Sequence, residues 1–473
     1  MNPDTNDAGR QVAAILTMLC LVLAAVAIGG APAAGRGPSA PVGWLGDVES
    51  GADHIDAADL LRELLAGRDD LVVVDLRPAG EFSAWHLPGA RNHTVPEVCG
   101  APGEALFAAK PRRVVLCSNG PAHPGQAWVE LRRAGHTNVT VLAGGLDELK
   151  ARLLTPPSLR EGTSESRARS ELPGWPMVRA FCLGNQAPNS LATWATDPPT
   201  LTQPTMVSPR WLHERLGKVA VLDLRSEAEF LAWHVPGAQR LDLAKIRTRT
   251  GDRDHLLVDD ASLATWFGNL GIGNDTPVVL TADDKLHDTT MAALALLRLG
   301  HRQLAILEGG MLRWATERRP LTPDLVLPSA VRYEPRAGAD DFTITTEALA
   351  AEVAKSARKV LDVRPADFFR GDKSTEARPG HVPGAKNRTF TKDSQRTNDG
   401  QWLRPRAELG KAYADLALQP NEPIAVSCRT GHQATQTFFV LRYLLGYRDV
   451  KWYAGSWTEW AARQDLPAVT GDK

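Results

Sequence analysis

Cys428 closes a short apolar run, Ile424-Ala425-Val426-Ser427, and opens the loop Cys428-Arg429-Thr430-Gly431-His432-Gln433. A helix-like run, Ala434 to Leu445, follows at once. A strand, a tight loop and a helix start in that order bring backbone N–H groups together, and the helix dipole adds partial positive charge. A thiol there is expected to ionise more easily than a free cysteine and to act as a nucleophile. The loop has no proline, so each N–H is available to an anion. Gly431 suits a backbone angle that other residues avoid. Arg429 can place a charge over an incoming anion, and Thr430 and His432 add donors. The plain alternative is a buried structural thiol, because free cysteines often serve as small hydrophobes. The strand-loop-helix setting and the basic neighbour weigh against it.

The elements that must position this loop occur three times. Val72-Val73-Val74-Asp75-Leu76-Arg77 recurs as Val219 to Arg225 and as Val360-Leu361-Asp362-Val363-Arg364. Each is a buried-strand pattern ending in Asp-x-Arg. His-x-Pro-Gly-Ala follows at His86, His234 and His381, where Pro-Gly sets a turn. A second apolar strand then leads to Cys117, Ala282 or Cys428. The spacing from each of these to Gly135, Gly300 or Gly446 is equal, so the three positions align, with glycine suited to end a helix. A further strand precedes Gly144-Gly145, Gly309-Gly310 or Gly455-Ser456. Strands alternating with helices predict parallel sheets covered on both faces.

The three loops differ in chemistry. The second has Ala282 and no nucleophile, and Asp283, Asp284 and Asp288 around it would repel an anion. The first has Cys117, but Pro121 and Pro124 each remove a backbone donor. Cys117 reads as a half-buried thiol in a degenerate unit, with a second reactive site (a persulfide site, on the family resemblance given below) or a disulfide to Cys99 as the alternatives. Asp362 and Arg364 recur in the silent second unit as Asp223 and Arg225, so these pairs read as structural. The repeated histidines get the same reading, and Trp233, Trp314, Trp457 and Trp460 read as core.

At 473 residues the chain is long enough for about three domains. With 54 basic and 55 acidic residues the net charge is -1, which gives no support for nucleic-acid binding or a polybasic membrane surface. Five scattered cysteines make no disulfide scaffold, and no His/Cys cluster has metal-ligand spacing. From Gln11 to Gly35 the chain is uncharged, and Ala31-Pro32-Ala33-Ala34 offers small residues for cleavage. Residues 1–34 therefore read as a secretory signal, with an uncleaved anchor as the competing reading. Either places the domains outside the cytoplasm, in the periplasm or exported.

Asp-x-Arg, His-x-Pro-Gly-Ala, strand-Cys-loop-helix and Gly-Gly with a downstream tryptophan (Trp314, Trp460) together resemble the rhodanese family. Behind a signal-like N-terminus, three such units resemble the exported three-domain thiosulfate sulfurtransferases of Gram-negative bacteria. The resemblance implies an α/β fold of three tandem rhodanese-like domains, each a parallel sheet flanked by helices. They run from Val48 to Leu154, Thr205 to Leu325 and Phe342 to Val469, with a linker over 155–204 and catalysis in the third. The second and third carry longer insertions before the loop and are expected to pack as a pair. The implied enzyme is a sulfurtransferase: Cys428 takes the outer sulfur of thiosulfate, releases sulfite, and passes the sulfur from a persulfide to cyanide or a thiol. Arg429, Thr430, Gly431, His432 and Gln433 would bind substrate, with Arg378 (or Arg388) as a second basic group. No metal or organic cofactor is implied. Related phosphatases place Arg six residues after Cys; here those positions are Ala434 and His123. The alternatives are a 3-mercaptopyruvate donor, or a non-catalytic carrier or scaffold that delivers sulfur to a protein partner.

Overall fold

The computed structural model describes residues 42–68, 70–107, 113–155, 175–183, 193–250, 253–283, 285–397 and 400–472. The expected signal or anchor segment, 1–34, and much of the expected linker lie outside the described residues. Among the described residues no helix is long and apolar enough to cross a membrane. The chain forms two compact units, one ending at Cys182 and the other beginning at Leu183.

The first unit holds one sheet: β1 (His54–Ile55), β2 (Leu71–Asp75), β3 (Arg91–Asn92), β4 (Arg113–Cys117) and β5 (Val139–Leu142). The second holds two more. One has β6 (Thr205–Val207), β7 (Ala220–Asp223), β8 (Gln239–Arg240), β11 (Val278–Thr281) and β12 (Leu304–Leu307). The other has β13 (Thr343–Ile344), β14 (Lys359–Asp362), β15 (Lys386–Asn387), β18 (Ile424–Ser427) and β19 (Val450–Tyr453). The spatial orders are β1-β5-β4-β2-β3, β6-β12-β11-β7-β8 and β13-β19-β18-β14-β15, one topology three times. Every pairing within these sheets is parallel. The central strands are continuous apolar runs because helices cover both faces. The insertions of the second and third repeats form antiparallel hairpins, β9 (Arg247–Thr250) with β10 (Arg253–Leu257) and β16 (Ser394–Thr397) with β17 (Gly400–Leu403).

Strand register corrects one alignment. Asp75 stands opposite Cys117, Asp223 opposite Thr281, and Asp362 opposite Ser427. Cys117 is therefore the last residue of its strand and the counterpart of Ser427. Ser118 is the counterpart of Ala282 and Cys428. The carbonyls of these three accept the N–H of Leu146, Met311 and Trp457 at 2.8, 2.9 and 3.0 Å. From strand end to the glycine after the helix, the first repeat is one residue shorter than the others. Equal spacing to that glycine therefore picked the wrong residue.

The second and third sheets share one core. The helix α1 (Leu286–Arg298) is buried at every residue from Thr289 to Leu297. A helix apolar on all sides needs neighbours all round. Met291 and Leu294 join Phe438 and Leu441 in one cluster. Thr290 and Thr435 share a buried hydroxyl contact of 2.8 Å.

One lock recurs in every repeat. Arg364 donates to both oxygens of Asp362 at 2.6–3.0 Å and to the Gly380 carbonyl at 2.7 Å. Arg77 and Arg225 do the same with Asp75 and Asp223, and with the carbonyls of Trp85 and Trp233. The histidine after each carbonyl stacks on a phenylalanine, as His381 does on Phe369 at 3.6 Å. Both charges are buried, so removing one partner of such a pair costs about 3–5 kcal/mol.

Candidate active site

The loop after β18 is held from outside by its carbonyls. Cys428 O accepts from Trp457 N–H at 3.0 Å, and Arg429 O from Thr458 N–H at 3.0 Å. Gly431 O accepts from the Trp452 indole at 2.8 Å, and His432 O from the Thr435 hydroxyl at 2.7 Å. Thr430 O faces Arg247 Nη2 at 3.4 Å. With the carbonyls pulled outward, the amides of Ala434, Thr430 and Gln433 are left for the Cys428 sulfur. Gly431 has φ +79°, and a Cβ there would meet the Ala454 carbonyl at 2.5 Å. Only glycine suits that bend.

The thiol does not ionise more easily in this setting, contrary to expectation. Burial pushes Cys428 above its ordinary value. The amides of Ala434, Thr430 and Gln433 pull it down, and the Asp362 carboxylate adds a further push up. Desolvation of the thiolate is the larger effect at a residue 1% exposed. Cys117 is pushed higher still by burial and by Asp75, with only Arg77 opposing and no amide acting on it. Cys99 and Cys117 are unbridged.

The repeat that lacks a thiol supplies part of this loop's surroundings. Asp288, at the start of α1, lies 2.9 Å from His432 Nε2. Arg247 Nη1 lies 3.5 Å from His432 Nδ1. A guanidinium only donates, so Nδ1 accepts, while Nε2 meets Asp288 in a close contact not aligned as a hydrogen bond. The Asp288 charge, expected to guard an empty site in its own repeat, is spent on the third repeat's loop. His287, Asp288 and His432 offer three ligand atoms within 4.8 Å of one another. A guanidinium 3.5 Å from Nδ1 of His432 opposes a second positive charge at this trio.

Arg429 and Gln433 line a pocket of about 170 Å³ with Arg364, Phe368, Glu376 and Trp457. Arg429 Nε lies 3.1 Å from Glu376 Oε1, an ion-pair contact not aligned as a hydrogen bond. Arg378, expected to bind substrate, is placed elsewhere. Its guanidinium donates to the carbonyls of Trp460, Ala461, Arg463 and Leu466 at 2.7–3.0 Å. Arg388 is tied to Asp393 at 2.9 Å. Thr430 and His432 meet the second repeat rather than the pocket.

Sequence reasoning missed Glu376 and Arg247. A signal for Glu376 existed. Seventeen positions separate Arg364 from His381, against nine from Arg77 to His86 and nine from Arg225 to His234. The extra segment carries Ser374, Thr375 and Glu376, all at the pocket. Arg247 had no signal, because its partner lies 183 positions away.

The family described as Rhodanese-like domain matches residues 57–152, 208–317 and 345–463. The chain belongs to the rhodanese family. Among rhodanese relatives, the thiosulfate sulfurtransferase of Corynebacterium glutamicum is 31% identical over 284 residues, covering 56% of this chain and 91% of that protein. The thiosulfate sulfurtransferase of Pseudomonas aeruginosa is 30% identical over 266 residues, 56% of this chain and 96% of that protein. The sulfur carrier protein TtuD of Thermus thermophilus is 31% identical over 286 residues, 57% of this chain and 97% of that protein. More than half of this rhodanese thus spans nearly the whole of each relative.

Proposed function

We propose that Cys428 is the sulfur-carrying nucleophile of this sulfurtransferase, with thiosulfate as donor and cyanide or a thiol as acceptor. The Cys428 thiolate attacks the outer sulfur of thiosulfate. A sulfur–sulfur bond forms to Sγ, the bond to the sulfonate sulfur breaks, and sulfite leaves with the electron pair. An acceptor then removes the outer sulfur of the persulfide, giving two-step, ping-pong chemistry. The observation that carries the reading is the loop itself. Its carbonyls are bound outward, and the amides of Ala434, Thr430 and Gln433 act to lower the Cys428 thiol against its burial. Names of relatives support thiosulfate as donor. The N-terminal apolar run places the enzyme outside the cytoplasm in this reading.

Mass spectrometry after thiosulfate treatment tests it. One added sulfur on the Cys428 peptide, and loss of thiosulfate:cyanide activity in Cys428→Ser, are the expected results. Full activity in Cys428→Ser would overturn the assignment. A second reading, delivery of the persulfide to a protein acceptor, draws on the relative named sulfur carrier protein. A persulfide that forms on Cys428 but turns over slowly with every small acceptor would favour it.

A further inference from the structure

The pocket over the Cys428 loop carries one cation too few for a simple anion receptor. Two arginines line it. Arg364 is neutralised by Asp362, to which it donates from Nε and Nη2. Arg429 remains, and Glu376 stands 3.1 Å from it. The Glu376 side chain is only 6% exposed, and the Thr375 hydroxyl donates to its Oε1 at 3.2 Å. A carboxylate so placed opposes a dianionic donor, and it has nothing to offer cyanide. It arrives on the segment between Asp-x-Arg and His-x-Pro-Gly-Ala that only the third repeat extends, the repeat with the thiol at the loop. The pocket volume of about 170 Å³ is several times the about 30 Å³ that one water occupies in the liquid. It accepts a molecule of several heavy atoms.

We propose that Glu376 selects the sulfur acceptor, favouring a small thiol that bears a primary ammonium group. Arg429 beside it can take a carboxylate on the same molecule. The inference rests on the reading that Cys428 carries a persulfide. In the step it describes, the acceptor thiolate attacks the outer sulfur of the protonated Cys428 persulfide. The new sulfur–sulfur bond forms on the acceptor, the bond to Sγ breaks, and its electron pair stays on Cys428 as the thiolate. The product is a small-molecule persulfide. No other oxidant or reductant enters.

The test uses the full chain, loaded with thiosulfate, freed of excess donor, and checked by mass spectrometry for sulfur on Cys428. Rapid mixing then compares four thiols, each rate corrected for its thiolate fraction. Cysteamine and cysteine carry an ammonium, 2-mercaptoethanol is neutral, and 3-mercaptopropionate is anionic. Cysteamine and cysteine are expected to discharge the persulfide about tenfold faster than 3-mercaptopropionate. Glu376→Gln should bring the four rates together and lower the KM for thiosulfate. Glu376→Asp keeps the charge and should keep the order of preference. Equal rates in the parent protein, or an unchanged preference in Glu376→Gln, would overturn the inference while leaving the persulfide reading intact. Absence of sulfur on Cys428 after loading would instead overturn the reading beneath it. Cysteine faster than cysteamine assigns Arg429 its carboxylate, and the reverse order leaves selection to Glu376 alone.

Discussion

His432 Nε2 lies 2.9 Å from Asp288 Oδ1, tying the loop that begins at Cys428 to a helix of the repeat that lacks a thiol. Arg247 of that same repeat meets both His432 Nδ1 and the Thr430 carbonyl. The silent repeat is therefore part of the loop's support, although it carries no nucleophile of its own.

Asp288→Ala should lower kcat for sulfur transfer about tenfold, because the loop loses its contact at His432 and the thiol shifts from its reacting position. The KM for thiosulfate should move little, because Asp288 positions the loop and does not line the pocket. A matching rise in KM, with kcat kept, would overturn this role. Burial pushes the Asp288 carboxyl up, but His432, with His287 and Lys285, holds it below its ordinary value. Its contribution to stability is thus present above about pH 4, near the unfolded value, and is lost as pH falls through the lower folded value. Urea unfolding of the parent and Asp288→Asn between pH 7 and 3 should show the gap closing at the acid end.

The Cys428 thiol, raised by burial, should be mostly protonated at neutral pH in the empty enzyme. Its alkylation by iodoacetamide should therefore climb with pH through and beyond about 8.5, the ordinary thiol value. A midpoint near pH 6, read from alkylation rates, would contradict the dominance of burial.

Cys117→Ser should leave sulfur transfer unchanged, because that sulfur belongs to a strand and burial and Asp75 raise its thiol well above the ordinary value. Peptide mapping after thiosulfate should find added sulfur at Cys428 and none at Cys117. Sulfur on both peptides would restore the first repeat as a second site.

Arg378→Ala should destabilise the fold by about 2–3 kcal/mol, since four carbonyl bonds from a charged donor are lost. The KM for thiosulfate should stay as it was. A large rise in KM without loss of stability, measured by urea unfolding beside steady-state kinetics, would return Arg378 to substrate binding.

Much of the architecture was legible because it repeats. Asp-x-Arg, His-x-Pro-Gly-Ala and the glycine pair mark fixed points of one sheet topology, and each can be counted along the chain. Gly431 and the loop from Cys428 were legible for the same local reason. A positive φ and a run of free amides are properties of a few adjacent residues. The role of Arg378 was not legible, because a basic residue beside Pro379-Gly380 looks the same whether it meets solvent, substrate or four distant carbonyls.

The sequence by itself determined three rhodanese repeats, the lack of a nucleophile at Ala282, and Cys428 as the thiol at a strand-loop-helix junction. Those features are local, and local chemistry sets them. Only the tertiary structure decided that Cys117 matches Ser427 rather than Cys428, because strand register is settled by pairing across the sheet and not by spacing along the chain. It alone brought Asp288 and Arg247 to the loop that begins at Cys428 and set Glu376 against Arg429. Burial also decided the direction of the Cys428 shift, since desolvation depends on everything packed around the sulfur.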